Sequence, residues 1–269
     1  MNNVFSLKIT DIIDEGSNRM TYLLEKPDDF KWDEGSHISV ALDGYKVNGK
    51  LDNRMIRKFS IFTMDYEKRI GITTRLDSSE SEYKKKMSKF CIGDLCHIIE
   101  YGSRMKLRRE NRPVVLISMG VGMATMRPLI KSFLDDESGI PYITNIVVNK
   151  SSDYLYKDEL EVLENDKYKT INFKGRKELK NGLKEMDFNN AIFYVVGSKD
   201  FLKSTIEILK TKGADNKSVM IDRNEGIIDL YFDENDYESM KVKNYGISKK
   251  FVPLVIPNGC ACGGNCTCK

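Results

Sequence analysis

Three stretches of this 269-residue chain hold residue types and spacings that could do chemistry. The first is Arg57-Lys58-Phe59-Ser60, in a strand-like context between the polar run Asn48 to Asn53 and the turn at Asp65-Tyr66-Glu67-Lys68. An Arg, an aromatic and a Ser sharing one strand face suit a planar aromatic ligand that bears a phosphate. Arg57 would supply a charged fork, Phe59 a flat apolar wall and Ser60 a small donor or acceptor. The plainer reading is an ordinary strand with an exposed Arg. The second stretch is Gly120-Val121-Gly122, directly after an apolar run and at the start of a helical pattern. That placement lets the backbone approach a pyrophosphate at a helix N-terminus. The third is Cys260, Cys262, Cys266 and Cys268, crowded into the last ten residues. Two Cys-x-Cys chelates around Gly263-Gly264-Asn265 can bring four thiolates together, which suits zinc, copper or an iron–sulfur cluster. Redox-active thiols or disulfides are the alternative.

Composition narrows the classes. The 43 basic and 40 acidic residues leave a net charge of +3, a balance that argues against a general nucleic-acid binder. No apolar run reaches the roughly 18 residues of a membrane span. Met1 to Ser6 has neither a basic nor an apolar leader pattern, so a cytoplasmic protein is expected. His37 and His97 each lie alone in a strand-like segment and read as structural.

The elements that must position these residues follow from periodicity. Residues 4 to 110 read as short strands with regular turn signals, among them Asp43-Gly44, Asn48-Gly49 and Gly93-Asp94. That spacing suggests an antiparallel β-barrel. Ser78 to Ser88 is polar and reads as a short helix or loop across the barrel's mouth. At Arg112-Pro113 the pattern changes. Val114 to Ser118 is a continuous apolar run, as in a parallel strand buried on both faces. Met126, Leu129, Ile130, Phe133 and Leu134 follow at helical spacing. Strands at Ile143 to Val148, Thr170 to Phe173, Ala191 to Val196 and Ser218 to Ile221 alternate with helices at Tyr156 to Leu163 and around Phe201 to Leu209. This alternation predicts an α/β doubly wound parallel sheet. The expected organisation is a barrel domain over 1–110, an α/β domain over 111–232 and a C-terminal extension over 233–269.

The order of these motifs resembles the ferredoxin–NADP reductase superfamily. Arg57-x-Phe59-Ser60 is similar to its Arg-x-Tyr-Ser signature. Phe30 to Ile38 resembles its strand entry, Ser81-Glu82-Tyr83 falls where its second pyrophosphate-binding Ser lies, and Phe90 to Asp94 resembles its Gly-Asp turn. Gly120-Val121-Gly122, the stretch Asn149 to Leu160 and Val196-Gly197-Ser198 continue the pattern in family order.

The resemblance implies FAD in the barrel domain and NAD(P)H in the α/β domain. It implies Arg57 on the flavin pyrophosphate, Phe59 against the isoalloxazine and Ser60 near its N5, with Ser81 and the Glu82 backbone also on the pyrophosphate. Gly120, Gly122, Gly197 and Ser198 would hold the nicotinamide dinucleotide, and Lys150 would lie near its adenosine ribose. Four positions depart from the usual pattern: Phe59 for Tyr, Val121 for Thr, Thr125 for Pro and Val196 for Cys. The activity implied is hydride transfer from NAD(P)H to FAD, then electron transfer to an acceptor protein or metal centre, with no nucleic acid and no membrane span involved. Two other readings stand beside it. One is an electron-transfer or docking subunit similar to the FAD-binding partner of dihydroorotate dehydrogenase. The other is a binding module that keeps the fold with little turnover.

Overall fold

The computed structural model describes residues 4–76, 81–151, 153–224 and 226–233. Its first unit contains strands β1 (Phe5–Asp14), β2 (Arg19–Glu25), β3 (Ser36–Ala41), the short hairpin β4 (Lys46–Val47) and β5 (Lys50–Leu51), β6 (Ile56–Ser60) and β7 (Arg69–Arg75). Helix α1 (Glu82–Met87) and strand β8 (Leu95–Ser103) complete it. The order β6-β3-β8-β1-β2-β7 is antiparallel throughout. Strand alternation builds the interior: Leu7 and Ile9 of β1 are buried while Ser6 and Lys8 are exposed. Leu24, Ile38, Ile72 and Ile98 meet them in one cluster. The ends of the sheet come together where the Phe62 amide donates to the Gly71 carbonyl at 2.9 Å. A Cβ at Gly71 would stand 2.4 Å from the Phe62 ring, so this closure needs glycine. Helix α1 lies over the barrel with Tyr83 and Met87 buried. The Tyr22 hydroxyl donates to the Met87 carbonyl at 2.8 Å and holds it there.

The second unit runs β9 (Val114–Met119), α2 (Met123–Asp135), β10 (Ile143–Val148), α3 (Lys157–Val162), β11 (Tyr168–Phe173) and α4 (Arg176–Glu185). It continues through β12 (Ile192–Val196), α5 (Lys199–Thr211), β13 (Val219–Ile221) and α6 (Ile227–Phe232). The strands are parallel in the order β11-β10-β9-β12-β13. Every residue of β12 is buried, as both faces of a central parallel strand must be. Leu116, Tyr194 and Val196 pack with α2 and α3 on one face. Val115, Ile117 and Phe193 pack with α4 and α5 on the other. The expected antiparallel barrel and doubly wound sheet are both present. The sequence reading omitted α4 and α6. Helix α4 buries only Leu179 and Leu183, one i, i+4 pair, which is too sparse to register as a helical stripe.

A charged clamp joins the two units and fixes how the site between them is framed. Arg127 of α2 is 6 % exposed. Its guanidinium meets Glu159 at 2.6 and 2.7 Å, Glu67 of the barrel at 2.7 and 2.9 Å, and the Phe62 carbonyl at 2.9 Å. The rings of Phe62 and Tyr156 stack at 5.0 Å, and the Arg127 guanidinium lies 5.6 Å from each. Lys131, one turn along α2, reaches both carboxylates. Partial burial pushes the Glu67 carboxyl up, but hydrogen bonds from Arg127 and the Met64 amide, with the charges of Arg127 and Lys131, outweigh it and hold it at about 2. The Tyr156 and Thr73 hydroxyls meet at 2.8 Å across the same boundary.

Candidate functional site

The order of the parallel sheet reverses between β9 and β12, and a crevice opens beyond the carboxyl ends of these strands. Here that crevice faces the end of β6, and the two units enclose a cleft of about 360 Å³. Arg57, Phe59, Ser60, Thr73 and Tyr83 line it from the barrel. Val121, Gly122, Thr125, Gly197, Ser198 and Asp222 line it from the sheet.

On the barrel side, the Arg57 guanidinium donates to the Asn53 and Ile56 carbonyls at 2.9 and 2.7 Å, and to Ser81 Oγ at 3.4 Å. It lies 5.3 Å from the Tyr83 ring centre. These bonds orient a fork with five N–H donors and leave two for an anion. Phe59 is half-buried, tilted at 35° to Tyr83 with ring centres 6.1 Å apart. The expectation put Arg57, Phe59 and Ser60 on one strand face. Neighbours in a strand alternate, so Phe59 and Ser60 cannot share a face. Both reach the cleft because β6 ends at Ser60, where helix α2 meets it. The Ser60 and Thr125 hydroxyls are 2.7 Å apart.

On the sheet side, Gly120–Gly122 forms a tight turn that leads into α2. A Cβ at Gly122 would lie 2.9 Å from the Val196 carbonyl oxygen and 3.0 Å from its side chain. Only glycine lets the start of α2 rest on the end of β12, which keeps the turn's backbone at the cleft wall. Ser198 caps α5, its Oγ accepting from the Phe201 amide at 3.3 Å and from Arg176 at 3.2 Å. Arg223 donates to the Gly197 carbonyl at 2.9 Å and to the Asp222 carboxylate at 2.9 Å. Burial raises the Asp222 carboxyl above its ordinary range, and the Arg223 charge opposes this.

Of the residues singled out from sequence, Arg57, Phe59, Ser60, Gly122, Gly197 and Ser198 meet in this one cleft. Ser81 stands beside Arg57. Gly120 opens the turn at a positive φ of 62°. Glu82 is exposed and pairs with Lys86 along α1, and Lys150 is exposed just past the end of β10. Cys260, Cys262, Cys266 and Cys268 lie outside the described residues. Among the described residues, no group of three or more His, Cys, Asp or Glu stands together as a metal site, and no helix is long and apolar enough to cross a membrane. His37, opposite Ser60 in the β3–β6 ladder, is pushed down to about 4 by burial and by Lys58 and Arg104.

The sequence reading missed Asp222 and Arg223, and it used Tyr83 only as part of a motif. Asp222-Arg223 directly follows a parallel strand, which is where such sheets present ligand contacts. Tyr83 had a weaker signal, an i, i+4 pairing with Met87 that puts both on the buried face of a one-turn helix.

No protein-family model and no curated protein matches this sequence. Solved structures do match its fold. A ferredoxin NADP+ reductase from Neisseria gonorrhoeae, solved with bound FAD and NADP, has a TM-score of 0.67 at 14% identity, over 81% of this chain and 98% of that one. The ferredoxin-NADP+ reductase of Plasmodium falciparum gives 0.66 at 17%, over 82% and 96%. The cytochrome b5 reductase domain of Ulva prolifera nitrate reductase gives 0.66 at 13%, over 81% and 97%. The likeness covers both units in their chain order and is one of fold.

Proposed function

We propose that this chain is a flavoprotein oxidoreductase that takes a hydride from NAD(P)H onto FAD and passes electrons to an acceptor protein or metal centre. One observation carries the reading: a single cleft is lined at once by the barrel's Arg57, Phe59 and Ser60 and by the turns that follow β9 and β12. Hydride transfer between two flat rings needs chiefly that they be held in register, and a cleft walled by both domains is suited to that. FAD, when bound, supplies a ring that accepts a hydride and releases electrons singly or in pairs.

The chain's own residues do the holding. Arg57, steadied by two carbonyls and set beside Ser81, binds the flavin pyrophosphate through its remaining donors. Phe59 walls the isoalloxazine, and Ser60 offers its hydroxyl at the ring's N5. The Gly120–Gly122 turn and the start of α2 receive the pyrophosphate of the nicotinamide dinucleotide. Gly197 and Ser198 border its nicotinamide end. Lys150 supplies positive charge near the adenosine ribose. The four cysteines from Cys260 to Cys268 form one metal centre, with zinc or an iron–sulfur cluster the best fits to four thiolates. The spacing of these cysteines supports a second reading of the same chemistry, an electron-transfer subunit whose tail relays electrons or docks to a catalytic partner.

The test is flavin content. Purified protein should carry or take up FAD. Arg57→Ala should weaken it roughly 10- to 100-fold, the equivalent of a lost charge-assisted contact of ~1.5–3 kcal/mol. Full FAD occupancy in Arg57→Ala would remove Arg57 from this role.

A further inference from the structure

The loop that follows β13 is pinned at three successive residues, and the first of them stands in the cleft. Asp222 lines the cleft from the sheet's side. Arg223 donates to one oxygen of the Asp222 carboxylate at 2.9 Å and, from its other terminal nitrogen, to the Gly197 carbonyl at 2.9 Å. The loop is thereby fastened to the turn after β12. Asn224 accepts from Arg104, just past β8 of the barrel, at 2.5 Å. These bonds orient the Asp222 side chain before any ligand arrives.

The company it keeps decides what that carboxylate can do. Val121, Ala124 and Val196 make much of the sheet's side of the wall apolar. Two hydroxyls join them. Thr125 faces Ser60 at 2.7 Å. Ser198 Oγ accepts from the Phe201 amide and from Arg176, which leaves it a proton to give and no lone pair. Asp222 is the one charged side chain on this side among the described residues. Arg223 occupies one of its oxygens and leaves the other. A half-buried carboxylate with an oxygen to spare is a site for an N–H donor brought in by a ligand.

We propose that Asp222 binds the carboxamide of the nicotinamide, its second oxygen accepting from the amide N–H group. The inference rests on the reading that puts the nicotinamide end of the dinucleotide beside Gly197 and Ser198, because Arg223 ties Asp222 to that same turn. The carboxamide carries the only N–H donors of the nicotinamide ring, and its carbonyl suits the proton that Ser198 has left. A ring held by its carboxamide on the sheet's side cannot turn about its glycosidic bond without breaking that contact. One face of the ring therefore stays toward Phe59 and Ser60 on the barrel's side.

The experiment varies the donor as well as the acceptor. It measures equilibrium binding to the FAD-loaded protein of NAD+ or NADP+, whichever binds, and of the analogue whose carboxamide is replaced by an acetyl group. A methyl then stands where the N–H donors were. Asp222→Ala should weaken the natural nucleotide about 10- to 100-fold more than the analogue, as the loss of a hydrogen bond to a charged group does. A change in the cleft's charge acts on both nucleotides alike and cancels in this comparison. Asp222→Asn, which keeps a neutral acceptor, should fall between wild type and Asp222→Ala, and it gives the same comparison if Asp222→Ala does not keep its FAD. Anaerobic flavin reduction by the two reduced nucleotides should show the same inequality in its second-order rate constant. An inequality confined to that rate constant supports the contact too, since only the reacting complex must hold the ring in place. Equal weakening of both nucleotides in both measurements would mean that Asp222 serves the wall through Arg223 or meets a ribose hydroxyl. Preference for the carboxamide that is undiminished in both variants would give the contact to another acceptor, such as the Ala124 carbonyl. Either result overturns the proposal and leaves the flavin reading standing, whereas FAD-loaded wild type that binds neither nucleotide would overturn both.

Discussion

Single residues decide whether this cleft can receive two dinucleotides, and Gly122 is the most exposed to test. Its missing Cβ is the space that lets α2 begin against the Val196 carbonyl. In Gly122→Val the start of α2 should shift outward by a few tenths of an ångström or more, and the amides of the turn with it. NAD(P)H-driven reduction should then slow on the order of 10²-fold. FAD binding should survive, because the contacts of Arg57 lie in the barrel and in α1's approach. Stopped-flow reduction beside a flavin-binding titration separates the two effects, and equal loss in both would mean that Gly122 serves the fold instead. At this scale the sequence was readable where a residue type is rare at its position. Arg57, Phe59, Ser60 and the Gly-x-Gly turn stood out, and all border or abut one cleft. Asp222, Arg223 and Arg127 did not stand out, because a charged residue in a chain that is 31% charged says nothing until its neighbours are known.

At the scale of elements, α2 does two jobs. Its first turn lines the cleft, and its second turn carries the clamp that joins the domains. Pro128 inside α2 has no amide to give the Ala124 carbonyl, which leaves that carbonyl without its intrahelical donor at the cleft wall. The clamp gives a signed expectation for pH. Glu67 has a folded pKa of about 2 against an ordinary 4.5, so its pairing stabilises the protein fully above pH 4.5 and is lost as the pH falls toward 2. His37, at about 4 against 6.5, favours the folded state above pH 6.5, and that contribution is lost between pH 6.5 and 4. Acid unfolding should thus begin with His37 and deepen with Glu67. Glu67→Gln should cost about 2 kcal/mol at pH 7, less than the ~3–5 kcal/mol of a fully buried pair because Glu159 stays on Arg127. The deficit should shrink below pH 4. Melting curves at pH 7 and pH 3 measure it, and a deficit that stays constant between them would exclude the ionised Glu67 as its source. Strong strands such as β9 and β12 were legible as apolar runs. The hairpin β4–β5, with exposed residues on both strands, showed only its Asn48-Gly49 turn.

For the whole molecule, the legible signal was order. Barrel motifs come first, then the glycine turn, then alternating strands and helices, and the fold follows the same sequence. What the order could not convey is how the two units meet, because the Arg127–Glu67 pair and the Ser60–Thr125 pair join residues 60 and 65 positions apart. The tail is the opposite case. The metal chemistry proposed for it rests on the spacing of Cys260, Cys262, Cys266 and Cys268 alone. Truncation after Pro257 should therefore abolish metal binding and leave FAD binding and flavin reduction unchanged, as read by elemental analysis beside anaerobic titration. Metal content that survives truncation would exclude the tail as the ligand set.

The measurement that bears most directly on the proposed function is an anaerobic titration of the FAD-loaded protein with NADH and, separately, with NADPH, followed at the flavin absorption band. Bleaching by at least one of them, at one equivalent per flavin and abolished or strongly slowed in Gly122→Val, is the expected result. An FAD-loaded protein whose band is untouched by either nucleotide would contradict hydride transfer in this cleft and leave a flavin-binding module that keeps the fold without the reaction.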